Sequence, residues 1–456
     1  MDNLKAKSKT FLNSYYFPVF VFLITLISHT FSIELFGSII LIISACIGLL
    51  VCDDLKFLLS PLMMFVLMFS EKSISNGTFY SSAYIVAMIV LIIFFLGLLI
   101  AHFFIYKESV NLKAVIDSKL FLGLACLCGA FLLNGMFNFS QYVVGNLIFS
   151  MAMLVCFCLV FFLFSANLKP NQELKEYLFF ILYLISWLVI LQFYISFIHQ
   201  FQFENGSLKK ESILMGWGMW NNIGGELVFL LPIHFYYAST VKKYSWLFYL
   251  SGLFSYITIA LTLSRSSLLF GTAIIIACAV ISCVVGENKK INRIFTGAIA
   301  IIGIIGIIAL WGKISSVLGD YLSRGLDDNG RFDIYKKGIS NFCSHPIFGG
   351  GFFSVEAQDH QFVAFMPDRY HNTIIQMMGS CGIVGLLAYA LHRFETVKLL
   401  LRKRSIFTLF AALCLIGFLG TSLLDNHFFN IHPSFIYIPM LVIIERCESD
   451  YKTQAV

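Results

Sequence analysis

The chain has 456 residues, of which 59% are hydrophobic and only 12% are charged. Soluble globular domains average about 25% charged residues, so this composition excludes an ordinary soluble protein. The formal net charge is +6, and the distribution of the basic residues among the linkers indicates how the chain is oriented in a membrane. The composition predicts an all-α polytopic membrane protein.

Long apolar runs alternate with short polar linkers along almost the whole chain. A helix of about 20 residues crosses the hydrocarbon core of a bilayer, and on this basis we predict about 12–14 transmembrane helices in a single membrane domain, 1–456. The candidate spans are 17–30, 33–51, 55–70, 80–106, 119–133, 142–165, 177–200, 222–240, 244–263, 266–285, 293–311, 373–391, 405–423 and 430–446.

Most of the 31 Lys and Arg residues lie in linkers on the same side as the N-terminus. Examples are Lys5, the pair Lys242 and Lys243, and the cluster between Arg393 and Arg404. The positive-inside rule places this side in the cytoplasm. We therefore predict cytoplasmic N- and C-termini and one large outward-facing loop between about 312 and 371.

The span at 222–240 begins on the predicted outer side with Asn221 and Asn222. Either amide can cap the helix, and both are candidate substrate-binding residues at an outer mouth. Glu226 follows one turn into the membrane, where a charged group needs a partner or a wet cavity. Simple capping with one structural hydrogen bond is the alternative interpretation.

Arg265 follows Ser264 at the outer start of the span at 266–285. Ser264 is suited to cap that helix. The helix dipole there favours an anion, and an Arg beside it adds a bidentate donor for phosphate. The alternative is an arginine that extends to the membrane interface without a functional role.

The large outer loop contains a segment, 333–342, whose pattern favours a helix lying on the membrane or capping the bundle. The run His345–Gly351 then breaks the helix, because its three glycines permit unusual backbone conformations. This run is either a plain turn or a shaped part of a site.

His371 and Asn372 open the span after the loop, close to Asp368 and Arg369 in sequence. A histidine, with a pKa near neutrality, can take a proton from an attacking hydroxyl. Asp425, His427 and His432 lie in or next to the last outer loop. They could ligate a metal, but supporting hydrogen bonds are the preferred interpretation.

Several of these residues together resemble the O-antigen ligase and polymerase family of bacterial membrane glycosyltransferases. The family pattern is His-Asn, nine residues, Gly, two residues, Gly, and His371-Asn372, Gly382 and Gly385 meet it; Leu386 departs mildly from the usual Thr, Ile or Val. The family's Arg-x-x-x-Leu motif matches Arg265 and Leu269. The resemblance covers about residues 200–400.

The resemblance implies transfer of a glycan from undecaprenyl pyrophosphate to a sugar hydroxyl, at the outer face of a bacterial cytoplasmic (inner) membrane, with no cofactor and no metal. By resemblance, Arg265 and Arg331 hold the pyrophosphate and His371 is the general base. Arg324 and Arg369 are alternatives to Arg331, and Asn372 orients His371 or caps its helix.

The expected partners are therefore the undecaprenyl-pyrophosphate-linked donor, a glycan or lipid-linked acceptor and membrane lipid, but no nucleic acid. The acceptor decides between a polymerase and a ligase, and we favour a polymerase because no acceptor-recognition domain is appended. The rival hypothesis is a polysaccharide transporter or lipid-linked glycan flippase, which predicts charges buried in mid-span, where the sequence offers mainly Glu226. A structural assembly partner is a third, weaker hypothesis.

Overall fold

A computed structural model describes residues 2–77, 81–138, 142–204, 207–309, 311–312, 315, 330–353 and 370–448. Apart from a hairpin of two short antiparallel strands, β1 Phe203–Glu204 and β2 Ser207–Leu208, the regular structure of these residues is helical. The α-helices are α1 Asp2–Leu12, α2 Tyr16–Phe31, α3 Glu34–Val51, α4 Leu59–Met64, α5 Glu71–Ser75, α6 Ser82–Ile105, α7 Leu112–Ile116, α8 Phe121–Leu133, α9 Val144–Leu154, α10 Val160–Asn167, α11 Gln172–His199, α12 Trp220–Thr240, α13 Ser245–Leu261, α14 Arg265–Val284, α15 Lys289–Ala309, α16 Arg331–Ser344, α17 Thr373–Arg402, α18 Ile406–Leu424 and α19 Ile431–Cys447.

Short 3-10 turns and one π-helical turn complete the helical structure. The 3-10 turns are Lys56–Leu58, Phe65–Met68, Lys107–Ser109, Lys210–Ser212 and His427–Phe429, and the π-helical turn, Val155–Leu159, joins α9 to α10. We call the end of the bundle where α17 begins the His371 end, and the end where α17 finishes the Arg402 end.

The prediction of an all-α polytopic membrane protein is confirmed. In the described ranges, seven helices are long and apolar enough to cross a membrane, or up to nine if each of two bent pairs counts as one span. This count is lower than the predicted 12–14, in part because some predicted spans form shorter elements. The segment 55–70 folds as α4 between two 3-10 turns, and α13 has only 17 residues.

α12 is the central helix of the bundle. Every residue from Ile223 to Tyr236 is buried, as expected for a helix that is surrounded on all sides. It packs against α13, α14 and α18. A Cβ atom at Gly224 would lie 2.6 Å from the Ser267 hydroxyl, so the bare glycine lets the start of α14 lie against the start of α12.

α17 is interrupted at Gly382, where φ is 65° and ψ is −155° inside the helix. The glycine run of the large loop docks into this break. Gly350 N donates to Gly379 O at 2.9 Å and Gly351 N donates to Ser380 O at 3.1 Å. On the other side of the break, Ile383 N donates to Pro346 O at 2.9 Å. The run is therefore more than a plain turn, because it satisfies backbone groups that the broken helix leaves unpaired.

The same loop segment also binds the ends of α8 and α9. Gly135 N donates to Phe348 O at 3.0 Å, and Phe353 N donates to Asn146 Oδ1 at 3.0 Å. Phe352 is fully buried against aromatic rings from α8 and α9. The described part of the large loop is thus fixed to three helices, and it holds α16 over the His371 end.

The break in α17 should be sensitive to a single added methyl group. A Cβ at Gly382 would lie 2.4 Å from Ile347 O, and other residues avoid this backbone conformation. We expect Gly382→Ala to destabilise the fold by roughly 1–3 kcal/mol, seen as a lower midpoint of thermal unfolding in detergent. The control is Gly129→Ala in α8, where an added Cβ meets nothing within 4 Å. Equal midpoints for the two variants would contradict this account.

Candidate functional site

His371 and Asp425 form a polar pair at the His371 end. His371 Nδ1 lies 3.1 Å from Asp425 Oδ1, and the side chains are 32% and 7% exposed. His371 has φ of 49°, a left-handed conformation that is uncommon for residues other than glycine. Such outliers concentrate at functional sites, where the surrounding structure maintains the strain.

Hydrogen bonds between the start of α17 and the end of α18 hold this pair in place. Asn372 caps α17 by accepting from Ile374 N at 2.8 Å and Ile375 N at 3.1 Å. Its Nδ2 donates to Leu423 O at 2.8 Å. Thr373 Oγ1 donates to Ser422 O at 3.0 Å. Both polar groups of the Asn372 side chain therefore act in structure, in line with the capping role considered above.

A second set of contacts fixes the loop that carries Asp425. Gln376 Oε1 accepts from Tyr370 N at 3.1 Å and from Asn426 Nδ2 at 2.5 Å. Phe428 and Phe429, which follow in the loop, are buried in the aromatic core. The carboxylate of Asp425 is consequently held by both polar contacts and packing.

The His371–Asp425 pair is suited to proton transfer. A carboxylate beside Nδ1 favours the tautomer in which Nδ1 carries the hydrogen, which leaves Nε2 as the acceptor. A general base of this kind needs an oriented ring and an accessible second nitrogen. The buried Asp425 orients the ring of His371, and the partial exposure of that ring is compatible with an accessible Nε2.

The two arginines singled out in the sequence each begin a helix. Arg265 is the first residue of α14, and Ser264 caps that helix by accepting from Ser267 N at 3.4 Å. Arg331 is the first residue of α16 and follows Gly330, which adopts a left-handed conformation. Arg324 and Arg369 lie outside the described residues.

Lys210 is a cation that sequence reasoning missed. Its Nζ lies 5.2 Å from the centre of the Trp220 ring, at the start of α12. Burial lowers the pKa of the Lys210 ammonium, and the positive charges of Arg265 and Arg331 lower it further, while Glu211 and Asp425 raise it. The charges of both arginines and of Asp425 therefore act on Lys210. Contacts between helix starts place these groups at the same end of the bundle: Gly224 of α12 lies against Ser267 near Arg265, and Tyr335 of α16 donates to His371 O at 3.4 Å.

The asparagines at the start of α12 are half-buried beside this region. Asn222 Oδ1 accepts from Met219 N at 3.3 Å, so it takes part in capping. Glu226 is buried, and its Oε2 lies 3.1 Å from His432 Nδ1. His432 Nε2 in turn lies 2.7 Å from Met63 O. The predicted partner of the buried acid is thus a histidine from α19.

The polar residues of the last loop pair with other protein groups. Asp425 faces His371 with hydrogen-bond geometry, in line with a supporting hydrogen bond, whereas His432 and Glu226 form a close pair of opposite character. Among the described residues, no group of three or more His, Cys, Asp or Glu side chains could hold a metal ion.

A comparison with protein families gives a match that contains several residues of the candidate site. A family model described as O-Antigen ligase matches residues 250–390, which contain Arg265, Arg331 and the His371-Asn372 pair. The match confirms the family resemblance and supports a glycosyltransferase-like role in surface polysaccharide assembly. No curated protein matches the chain significantly. Lys210 and Asp425 lie outside the matched range.

The proximity of Lys210 to Arg265 can be tested by its reactivity. Replacing Arg265 with Gln removes a positive neighbour, so the pKa of Lys210 should rise and less of its amine should be neutral at a given pH. We expect slower acylation of Lys210 in Arg265→Gln, measured by mass spectrometry on the folded protein across pH. Lys290→Gln, an exposed site at the start of α15, makes the same charge change and should leave the rate unaltered. Equal rates in both variants would place Lys210 away from Arg265.

Proposed function

We propose, on the match of residues 250–390 to the O-antigen ligase family model, that this protein transfers a glycan from an undecaprenyl-pyrophosphate carrier to a sugar hydroxyl. The observation that carries the proposal is the His371–Asp425 pair, together with Lys210, on which the charges of Arg265, Arg331 and Asp425 all act. This arrangement supplies a base for a hydroxyl and cations for a pyrophosphate.

In the proposed reaction, the acceptor hydroxyl oxygen attacks the anomeric carbon of the donor sugar. His371 Nε2 takes the hydroxyl proton while a new glycosidic C–O bond forms. The bond between the anomeric carbon and the pyrophosphate oxygen breaks, and the electron pair leaves with the pyrophosphate. Asp425 holds the imidazole tautomer and stabilises the imidazolium that results.

The leaving group gains negative charge as the bond breaks. Arg265 and Arg331 donate to it from the first turns of α14 and α16, where the helix dipoles also favour negative charge. Lys210 adds a third positive charge from the loop before α12. These cations stabilise the transition state more than the ground state, and we propose that the step needs no metal ion.

We place this reaction at the outer face of a bacterial inner membrane, on the positive-inside bias of the linkers. The lipid tail of the donor then lies in the bilayer while its pyrophosphate reaches the His371 end. Polymerisation of lipid-linked repeat units is the favoured outcome, and ligation to another acceptor uses the same chemistry.

The role of the carboxylate is tested by Asp425→Asn. An amide cannot stabilise the imidazolium, so we expect surface polysaccharide formation to fall by about 10²-fold or more. The measurement is the polysaccharide ladder on a gel, at matched protein levels, with His371→Ala as the reference for complete loss. Asp333→Asn changes an exposed acid on α16 and should leave the ladder intact. A normal ladder from Asp425→Asn or His371→Ala would refute the assigned base.

The role of Lys210 as a third cation is tested by comparing its substitution with that of its neighbour Lys209. Lys210→Gln should lower the rate by about 10- to 100-fold, the typical contribution of a hydrogen bond to a charged group. Lys209→Gln alters an exposed lysine and should retain the wild-type rate. The rate is measured at low concentrations of lipid-linked donor. Equal rates in the two variants would remove Lys210 from the site.

A further inference from the structure

A cavity lies far from the candidate site, at the Arg402 end. It has a volume of about 330 Å³ and separates the start of α8 from the last turns of α17. Its lining combines the basic side chains Lys119, Lys398 and Arg402 with apolar residues such as Leu122 and Phe394. Phe394 precedes Arg402 by eight positions, or ~12 Å along a helix. The cavity therefore has a basic region and an apolar region along α17.

Close packing of α8 on α17 forms the upper boundary of this cavity. A Cβ at Gly123 would lie 2.7 Å from the His392 Cα atom, so the glycine allows the two helices to meet. Glu395 Oε2 accepts from Gly123 N at 2.9 Å at the same place. Towards Arg402, α8 begins only two residues before this contact and the preceding chain bends away, and the cavity lies between this corner and α17.

The corner that leads into α8 is also fixed. Glu445 accepts from Ser118 Oγ and from Lys119 N, each at 2.6 Å. The segment Lys107–Ile116 meets α8 at a bend of 86°. The backbone of Lys119 is thus anchored at the mouth of the cavity, while its side chain is exposed.

Exposed apolar residues show how the cavity lies in the bilayer. Ile116 and Leu112, on the bent segment, are 67% and 54% exposed, which is typical of a segment lying in the membrane interface. Leu122 and Phe394, further along α8 and α17, are 58% and 63% exposed, which is typical of apolar side chains that face the membrane. The basic mouth therefore lies at headgroup depth and the apolar walls at acyl-chain depth.

We propose that this cavity binds an anionic phospholipid, with the phosphate between Lys119 and Lys398 and an acyl chain along Leu122 and Phe394. The lining carries three cations and one acid, Glu395, so its charge complements a negative headgroup. The predicted orientation places the Arg402 end in the cytoplasmic leaflet, where anionic lipids attract basic residues. The bound lipid would bridge α8 and α17, independently of the glycosyl transfer proposed above.

The test uses the full-length protein in detergent, mixed with phosphatidylglycerol and phosphatidylcholine in equal amounts. Native mass spectrometry measures the ratio of the two lipids retained. The wild type should prefer phosphatidylglycerol, and Lys119→Gln/Lys398→Gln should reduce that preference by about fivefold per lysine. The matched control, Lys113→Gln/Lys243→Gln, removes two exposed lysines that do not line the cavity and should keep the wild-type ratio.

Three results would overturn the proposal. They are an unchanged ratio in the cavity variant, an equal reduction in the control variant, and a wild type with no preference for the anionic lipid. Thermal unfolding without added lipid checks that the cavity variant is folded. If the double variant is unfolded, the single variant Lys398→Gln is used to test the proposal. Its side chain is exposed, and its loss removes one of the two proposed phosphate contacts.

Discussion

The candidate site depends on the hydrogen-bonded junction between the start of α17 and the end of α18. Asn372 and Thr373 bind backbone carbonyls at the end of α18, and Gln376 binds the loop beyond it. Backbone groups at helix ends that have no partner in lipid are costly, so this junction satisfies a general requirement of membrane helices. The same bonds place Asp425 beside His371, and stability and proposed chemistry therefore share one set of contacts.

The break in α17 extends this principle to the large loop. A helix interrupted in a membrane leaves backbone groups that must find other partners. The loop segment 346–353 provides them through the backbone of Pro346, Gly350 and Gly351, and the same segment binds the ends of α8 and α9. As a result, α16 and Arg331 are positioned by a rigid segment at the boundary between membrane and water. The candidate site is accordingly assembled from elements far apart in the chain.

Much of the fold was accessible from sequence because apolar runs long enough to cross a bilayer identify helices directly. Local rules also predicted three features that the structure contains. They are the cap at Ser264, a helix over 333–342, which is α16, and a partner for the buried Glu226. The pairing of Asp425 with His371 did not follow, because nothing local joins residues so distant in the chain. Lys210 could have been suspected, since Lys209 and Lys210 are basic residues in a loop predicted to face outward. The docking of the glycine run into α17 required knowledge of the break at Gly382.

We propose that this protein forms a glycosidic bond and does not move a finished glycan across the membrane. The direct measurement reconstitutes the purified protein with a labelled undecaprenyl-pyrophosphate glycan and an acceptor glycan, both accessible on the same face. We expect the wild type to produce a longer labelled glycan and to release undecaprenyl pyrophosphate, and His371→Ala to give neither product. Movement of intact donor between leaflets, with no new glycosidic bond from the wild-type protein, would contradict it and favour a transporter.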